Sequence, residues 1–296
     1  MHTIQVDRLS KHYGTTVALT DVNFHVDAGE VFGLIGADGA GKTTLFRILA
    51  TLLLPDAGQA LLGGLDVVHD MKPLRRKLGY MPGRFSLYQD LTVEENLCFF
   101  ATLFGTTVEE GYDGIRAIYS QIEPFRKRKA GALSGGMKQK LALSCALIHR
   151  PEILLLDEPT TGVDPVSRKE FWDMLAMLKE RGITIVAATP YIDEIRRCKR
   201  VAFLDRGSVK GTGTPDEVLA AFAHVFTPPA PVHTTHAAST NDVIRVEHLV
   251  KAFGTFRAVD DITFNVRKGE IFGFLGANGA GKSTAMHMLT GLSQPT

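Results

Sequence analysis

The run Gly36-Ala37-Asp38-Gly39-Ala40-Gly41-Lys42-Thr43 fits the pattern G-x-x-x-x-G-K-[ST]. In such a run the glycines let the backbone curl until several N–H groups point inward at one anion. A helix starting at its end adds the positive pole of its dipole. The chemistry served is polyphosphate binding. Lys42 reaches the β- and γ-phosphates, the Thr43 hydroxyl holds Mg²⁺, and Thr44 follows in the helix. A chance glycine-rich turn is the plainer reading. The apolar run before the motif and the helical composition after it weigh against that. The pattern also recurs, as Gly276-Ala277-Asn278-Gly279-Ala280-Gly281-Lys282-Ser283 followed by Thr284. Asp38 is the discordant residue. A carboxylate beside phosphates weakens their binding unless it faces away, and the second run has neutral Asn278 there.

Two further groups could act at the same site. The apolar run Ile153–Leu156 ends in Asp157-Glu158. An acid delivered by a strand beside a phosphate loop suits a Mg²⁺ ligand, directly or through water. Glu158 can then polarise the attacking water as a general base. Such a pair is common after apolar strands, and its place downstream of a phosphate loop gives it meaning. Leu133-Ser134-Gly135-Gly136-Met137 opens a helical stretch. Two readings of it stay open: a helix capped by Ser134, or a second anion-binding helix N-terminus built from Ser134, Gly135 and Gly136.

The elements that must position these groups have their own patterns. Ile4–Leu9 and Val22–Val26 alternate as half-buried strands do. Residues 30–35, Ile153–Leu156 and Ile183–Ala187 are mostly apolar, as buried parallel strands are. Residues 43–54 and 170–179 have helical composition, and Pro55–Gly58 breaks the first of these helices. Residues 93–146 lack strand signals and read as an inserted, mostly helical subdomain. Strands alternating with helices predict an α/β fold with a largely parallel sheet.

The chain also repeats itself. Residues 3–56 align without a gap to residues 243–296 at an offset of 240, and 24 of the 54 positions are identical. The period is too long for a solenoid and implies two copies of one large domain. The expected division is a first domain over 1–226, a linker over 227–241 and the N-terminal part of a second copy over 242–296. The linker, rich in Pro, Thr and Ala, reads as semi-extended. The second copy carries three strand-like segments and a phosphate loop but not the rest of the sheet. Its apolar faces are expected to lack packing partners and to be loosely ordered or paired with another chain.

Composition excludes several classes. The 296 residues carry 33 Lys+Arg and 32 Asp+Glu, so no global field draws the chain to nucleic acid. Arg126–Lys129 reads as a solvated helix end, and no nucleic-acid partner is expected. Three dispersed cysteines and the linker pair His233/His236 make neither a disulfide framework nor a metal centre. Trp172, Met174 and Met177 read as core. No signal peptide or run of roughly 18 apolar residues is visible, so any membrane role needs another chain.

With a phosphate loop before it and Asp157-Glu158 after it, Leu133–Gln139 resembles the signature motif of the ATP-binding cassette (ABC) ATPases. The resemblance covers the whole chain and implies a P-loop NTPase with a RecA-like parallel core, a small antiparallel β subdomain and the helical insert. It implies ATP and Mg²⁺ as ligands. Tyr13, and Phe253 in the second copy, would stack on adenine. Thr43, Asp157 and Ser283 would hold Mg²⁺. Asp164 would lie in the loop crossing the dimer interface. In this family two cassettes sandwich ATP between the phosphate loop of one and the Ser-Gly-Gly of the other. The partner cassette would come from the same chain or from a homodimer.

Two departures stand out: Gly83, where the family usually has Gln, and Pro190, where it usually has His. Gln89 is no obvious substitute for the former, and proline cannot donate a hydrogen bond to the γ-phosphate. The resemblance thus predicts an asymmetric pair, with the Lys42 site turning over slowly and the Lys282 site hydrolysing. The implied role is the ATPase subunit of a multidrug-type exporter, cytoplasmic and peripheral at the inner face of the cell membrane, working with separate permeases. Two alternatives are a soluble ribosome-associated tandem ATPase and a hydrolysis-impaired nucleotide-binding module. The short, uncharged linker disfavours the ribosomal reading.

Overall fold

The computed structural model describes residues 2–83, 87–226, 241–276 and 280–296. The chain divides into two compact units: residues 1–163 with 167–227, and residues 164–166 with 228–296. Residues 227–240 of the expected linker, with His233 and His236, lie outside the described residues, as does Gly279.

The first unit opens with a long hairpin, β1 (His2–Tyr13) and β2 (Thr16–Asp27). Next come β3 (Val31–Ile35), α1 (Lys42–Leu49), β4 (Ala57–Leu62), β5 (Leu65–Asp66), α2 (Met71–Lys77) and β6 (Leu78–Met81). The helical insert is α3 (Val93–Leu103), α4 (Val108–Tyr119) and α5 (Gly135–Leu147). The chain then returns through β7 (Ile153–Asp157), α6 (Pro165–Glu180), β8 (Thr184–Thr189), α7 (Ile192–Ile195), β9 (Arg200–Asp205), β10 (Ser208–Gly213), α8 (Pro215–Ala221) and α9 (Ala223–Phe226).

Six strands form the central sheet in the order β10-β9-β3-β8-β7-β6. All neighbours are parallel except the β10 edge. Period-2 alternation splits the side chains of each strand between two cores. Val31 and Ile35, Leu154 and Leu156, and Ile185 and Ala187 enter the core shared with the helical insert and α6. Phe32 and Leu34, Ile153 and Leu155, and Val186 and Ala188 enter the core shared with α1 and the antiparallel sheet β2-β1-β4-β5. Burial on both faces explains why these strands read as continuous apolar runs. The α/β architecture, mostly parallel with a small antiparallel sheet and a helical insert, is the one the sequence predicts.

Capping boxes fix the starts of α3 (Thr92/Glu95) and α4 (Thr107/Glu110). The helix expected over 43–54 is shorter: α1 ends at Leu49. Thr51 adopts a left-handed φ of 60°, and Leu52 N–H turns back to the Arg47 carbonyl at 2.8 Å. The helix therefore stops through backbone reversal, ahead of Pro55. Trp172 and Met174 are buried in the insert-side core and Met177 packs against it.

The second unit contains the hairpin β11 (Asp242–Phe253) and β12 (Phe256–Arg267) and the helix α10 (Lys282–Leu289). Its register repeats that of β1–β2 pair for pair, including left-handed residues His248 and Asp261 where the first hairpin has Arg8 and Asp21. The third strand-like segment forms no strand, and its apolar side chains Ile271 and Leu275 lack packing partners, as the sequence also led us to expect. Residues 271–276 form no ladder, and Ile271 and Leu275 are 99% exposed, whereas Val31 and Ile35 are buried between β8 and β9. Without neighbouring strands, an extended apolar segment gains neither ladder hydrogen bonds nor burial.

Candidate functional site

The phosphate loop leaves β3 and enters α1. Its curl depends on glycine at two places. A Cβ at Gly36 would sit 2.3 Å from the Leu204 carbonyl oxygen. Gly41 has φ of 106°, and a Cβ there would sit 2.6 Å from the Ala18 oxygen. Ala37, Asp38 and Gly39 form the exposed tip, while Ala40 is buried and its carbonyl accepts from Gly207 N–H at 3.0 Å. Asp38 thus stands in solvent. Helix α1 has no side-chain cap and no acid in its first turn. Its first N–H groups and positive pole are available to an anion.

Lys42 is buried at 4% exposure. Its Nζ donates to the Gly36 carbonyl at 2.8 Å and the Ala37 carbonyl at 3.1 Å, and lies 3.2 Å from Glu158 Oε1. Strand β7 runs two places from β3 in the sheet and brings Asp157 and Glu158 to the same end. Asp157 is 3% exposed, and its Oδ1 has no hydrogen-bond partner. Burial, then the neighbouring charge of Glu158, raises its pKa above the usual carboxylate value. A hydrogen bond with the Thr43 side chain, Lys42 and Arg47 oppose the rise. An oxygen left open in a buried carboxylate is costly unless a cation completes it. The pair Thr43 and Asp157 therefore fits a hard, oxygen-seeking ion such as Mg²⁺.

Glu158 adopts a left-handed φ of 51°, rare for a residue with a side chain. Its N–H donates to the Ala188 carbonyl at 2.9 Å and its carbonyl accepts from Thr161 N–H at 3.3 Å. The sharp turn aims its carboxylate at Lys42.

Ser134 is the N-cap of α5, and its hydroxyl accepts from Met137 N–H at 3.4 Å. It is exposed, and its neighbours Gly136 and Gly135 face Ser167 and Gly162. A Cβ on Gly136 would meet Ser167 Oγ at 2.5 Å, and one on Gly135 would lie 3.8 Å from the Gly162 oxygen. The cap reading of Ser134 therefore describes its hydrogen bond. Tyr13 stands 46% exposed at the tip of the first hairpin, and Phe253 is similarly exposed on the second. In the second unit Lys282 Nζ donates to the Gly276 carbonyl, Gly281 has a left-handed φ of 84°, and Ser283 and Thr284 follow in α10.

The two departures from the family pattern are both exposed, but Gly83 lies against backbone on one side: a Cβ there would sit 2.8 Å from the Asp157 carbonyl oxygen and 3.7 Å from Glu158 Cβ. Pro190 is exposed immediately after the end of β8. The buried carboxylate Glu194, which the motifs do not single out, accepts hydrogen bonds from Thr160 and Thr189. Its spacing from Pro190 carries no chemical signature, so pattern reading passes over it.

Residues 19–161 and 259–296 match the ABC transporter family model. The chain is 37% identical over 362 residues to the Probable multidrug ABC transporter ATP-binding protein YbhF of Escherichia coli, covering 95% of this chain and 62% of that protein. It therefore spans 62% of the length of the curated relatives it matches first. Identity to the Doxorubicin resistance ATP-binding protein DrrA of Mycobacterium tuberculosis is 37% over 220 residues, covering 73% of this chain and 66% of that one. Identity to the Nod factor export ATP-binding protein I of Burkholderia thailandensis is 38% over 219 residues, covering 73% and 72%. Among solved structures, an ATP-binding subunit of an ABC transporter superposes with TM-score 0.67 at 30% identity over 75% of this chain and 93% of that one. A cassette solved as a dimer in a post-hydrolysis state with ADP and Pi superposes with TM-score 0.65 at 26% identity, covering 72% and 98%. Among the described residues no helix is long and apolar enough to cross a membrane.

Proposed function

This chain belongs to the ABC transporter family, and from that membership we propose that it binds and hydrolyses ATP to drive export through separate membrane permeases. One observation carries the reading. Lys42 and Glu158 meet at 3.2 Å over the phosphate loop, beside Asp157 with its open buried oxygen. The run Gly36 to Thr44 cradles the phosphates of ATP, and Tyr13 stacks on the adenine. Lys42 exchanges the carbonyls of Gly36 and Ala37 for phosphate oxygens, whose greater charge makes stronger hydrogen bonds. Glu158 is then free to accept a proton from water, whose oxygen attacks the γ-phosphorus as ADP leaves. Thr43 and Asp157 would hold Mg²⁺, which would supply positive charge against the phosphates.

Ser134, Gly135 and Gly136 serve the ATP of an opposed cassette, contributed by the second copy of the domain or by another chain. Phe253, Gly276, Gly279, Gly281, Lys282, Ser283 and Thr284 repeat the nucleotide-binding roles there, with Ser283 at the metal. The permeases dock on the helical insert. A cavity of about 1030 Å³, lined among others by Leu52, Arg76, Tyr88, Phe100 and Leu103, supports that placement. The chain works in the cytoplasm against the inner face of the membrane. Gly83 and Pro190 favour slow turnover at the Lys42 site. Steady-state ATP hydrolysis by the chain beside its Lys42→Ala variant tests the reading. Turnover that vanishes in the variant supports it, and equal turnover in both sinks it.

A further inference from the structure

The ladder between β7 and β8 ends where Glu158 N–H meets the Ala188 carbonyl at 2.9 Å. Beyond that point the two chains have no backbone rung, yet both must be held. Thr160 leads the turn that follows Glu158, and Thr189 is the last residue of β8. Both side chains are buried, at 1% and 0% exposure. Their hydroxyls converge on one carboxylate. Thr160 Oγ1 donates to Glu194 Oε1 and Thr189 Oγ1 to Glu194 Oε2, each at 2.5 Å. Tyr191 N–H donates to Thr189 Oγ1 at 3.1 Å, which leaves that hydroxyl proton pointing at Glu194. Arg168, on α6, lies 3.5 Å from Glu194 Oε1 and 4.1 Å above the Tyr191 ring.

Glu194 is itself only 2% exposed. A carboxylate taken out of water is a poor choice for stability alone, because apolar side chains of similar volume often do as well. Its two oxygens do what an apolar group cannot: they bridge two hydroxyls on separate chain segments. The segment so held contains Glu158, whose left-handed backbone costs free energy and relaxes if the turn is released.

We propose that Glu194 is a positioning residue, a side-chain rung that fixes the 158–163 turn to the end of β8 and so keeps the Glu158 carboxylate at Lys42. The proposal rests on the reading of Glu158 as the base in ATP hydrolysis. When the rung is lost, residue 158 leaves the left-handed region and its carboxylate swings from the loop. The phosphate loop itself is untouched, so ATP affinity is kept while the chemical step slows.

The test compares Glu194→Gln, Thr160→Val and Thr160→Ser with wild type by amide hydrogen exchange and ATP turnover, with Glu158→Gln as reference. In the first two variants exchange quickens at Thr161 and Val163, whose amides close the turn, and not in β7, β8 or α1. A purely structural group would loosen the core strands as well. Turnover falls about tenfold in kcat, a barrier change of about 1.4 kcal/mol, with KM for ATP within twofold. Thr160→Ser, which keeps the hydroxyl, restores both. Unchanged exchange in the turn of Thr160→Val overturns the proposal. So does wild-type turnover in Glu194→Gln when Glu158→Gln has lost it. Wild-type turnover in Glu158→Gln removes the base reading instead, and exchange alone then decides whether Glu194 holds the turn.

Discussion

Restoring the glutamine that the family usually places at position 83 is the obvious repair for this cassette, and the geometry predicts that it fails. Any side chain there starts with a Cβ 2.8 Å from the Asp157 carbonyl oxygen. Carbon–oxygen contacts ordinarily begin at about 3.3 Å, so about half an ångström must be found. The obstacle is the backbone of β7, buried on both faces, and not a side chain that can turn away. Overpacking of this kind costs about 1–3 kcal/mol. Gly83 lies outside the left-handed region, so replacing glycine recovers about 0.4–1 kcal/mol from the unfolded chain. The clash wins, for a net loss of about 1–2 kcal/mol in Gly83→Ala. In a unit of this size that lowers Tm by about 2–8 °C. Shifting β7 also moves Asp157 and Glu158, and misplacement by about 1 Å can cost on the order of a hundredfold in rate. Gly83→Ala and Gly83→Gln should therefore both melt earlier and turn over more slowly, read by calorimetry and steady-state ATP hydrolysis. A Gly83→Gln chain as stable as wild type and faster would refute the reasoning, because the position would then be an open socket.

Pro190→His should behave in the opposite way. The residue is exposed, so stability should stay within about 0.5 kcal/mol and turnover should rise several-fold; unchanged turnover would clear the proline of blame. Asp157→Asn should abolish turnover yet stabilise the chain at neutral pH. Burial raises the Asp157 pKa, so its favourable contribution is complete below its unfolded value and fades as pH rises. The Tm advantage of the variant should accordingly grow from pH 4 to pH 7, and a constant difference would contradict the assignment. Asp66 has the reverse sign. Burial pushes its pKa up, but hydrogen bonds from Gln59, Val68, His69 pull it down to about 2. Its stabilisation is present above its ordinary pKa and is lost as pH falls towards 2, so Asp66→Asn should flatten the acid limb of the Tm profile.

Residue types and spacing determined the phosphate loop, the acid pair, the signature turn, the duplicated hairpin and the α/β class. Each is a local matter: glycines fix a loop, and burial on two faces writes an apolar strand into the sequence. The end of α1 at Leu49 was not legible, because it is a backbone reversal without a sequence signature, whereas the want of packing partners around residues 271–276 was expected from the sequence. The same limit applies at the site. Gly83 and Pro190 read alike, as two deviations from one pattern. Both are exposed, and only the fold shows that a side chain at the first would meet the Asp157 carbonyl. Glu194 carries no motif at all. It gains its place because β7 and β8 run side by side and then part, leaving two buried hydroxyls that one carboxylate can join. Sequence specifies groups and their local geometry, whereas packing decides which groups lie close enough to interact, because those distances are set by elements far apart along the chain.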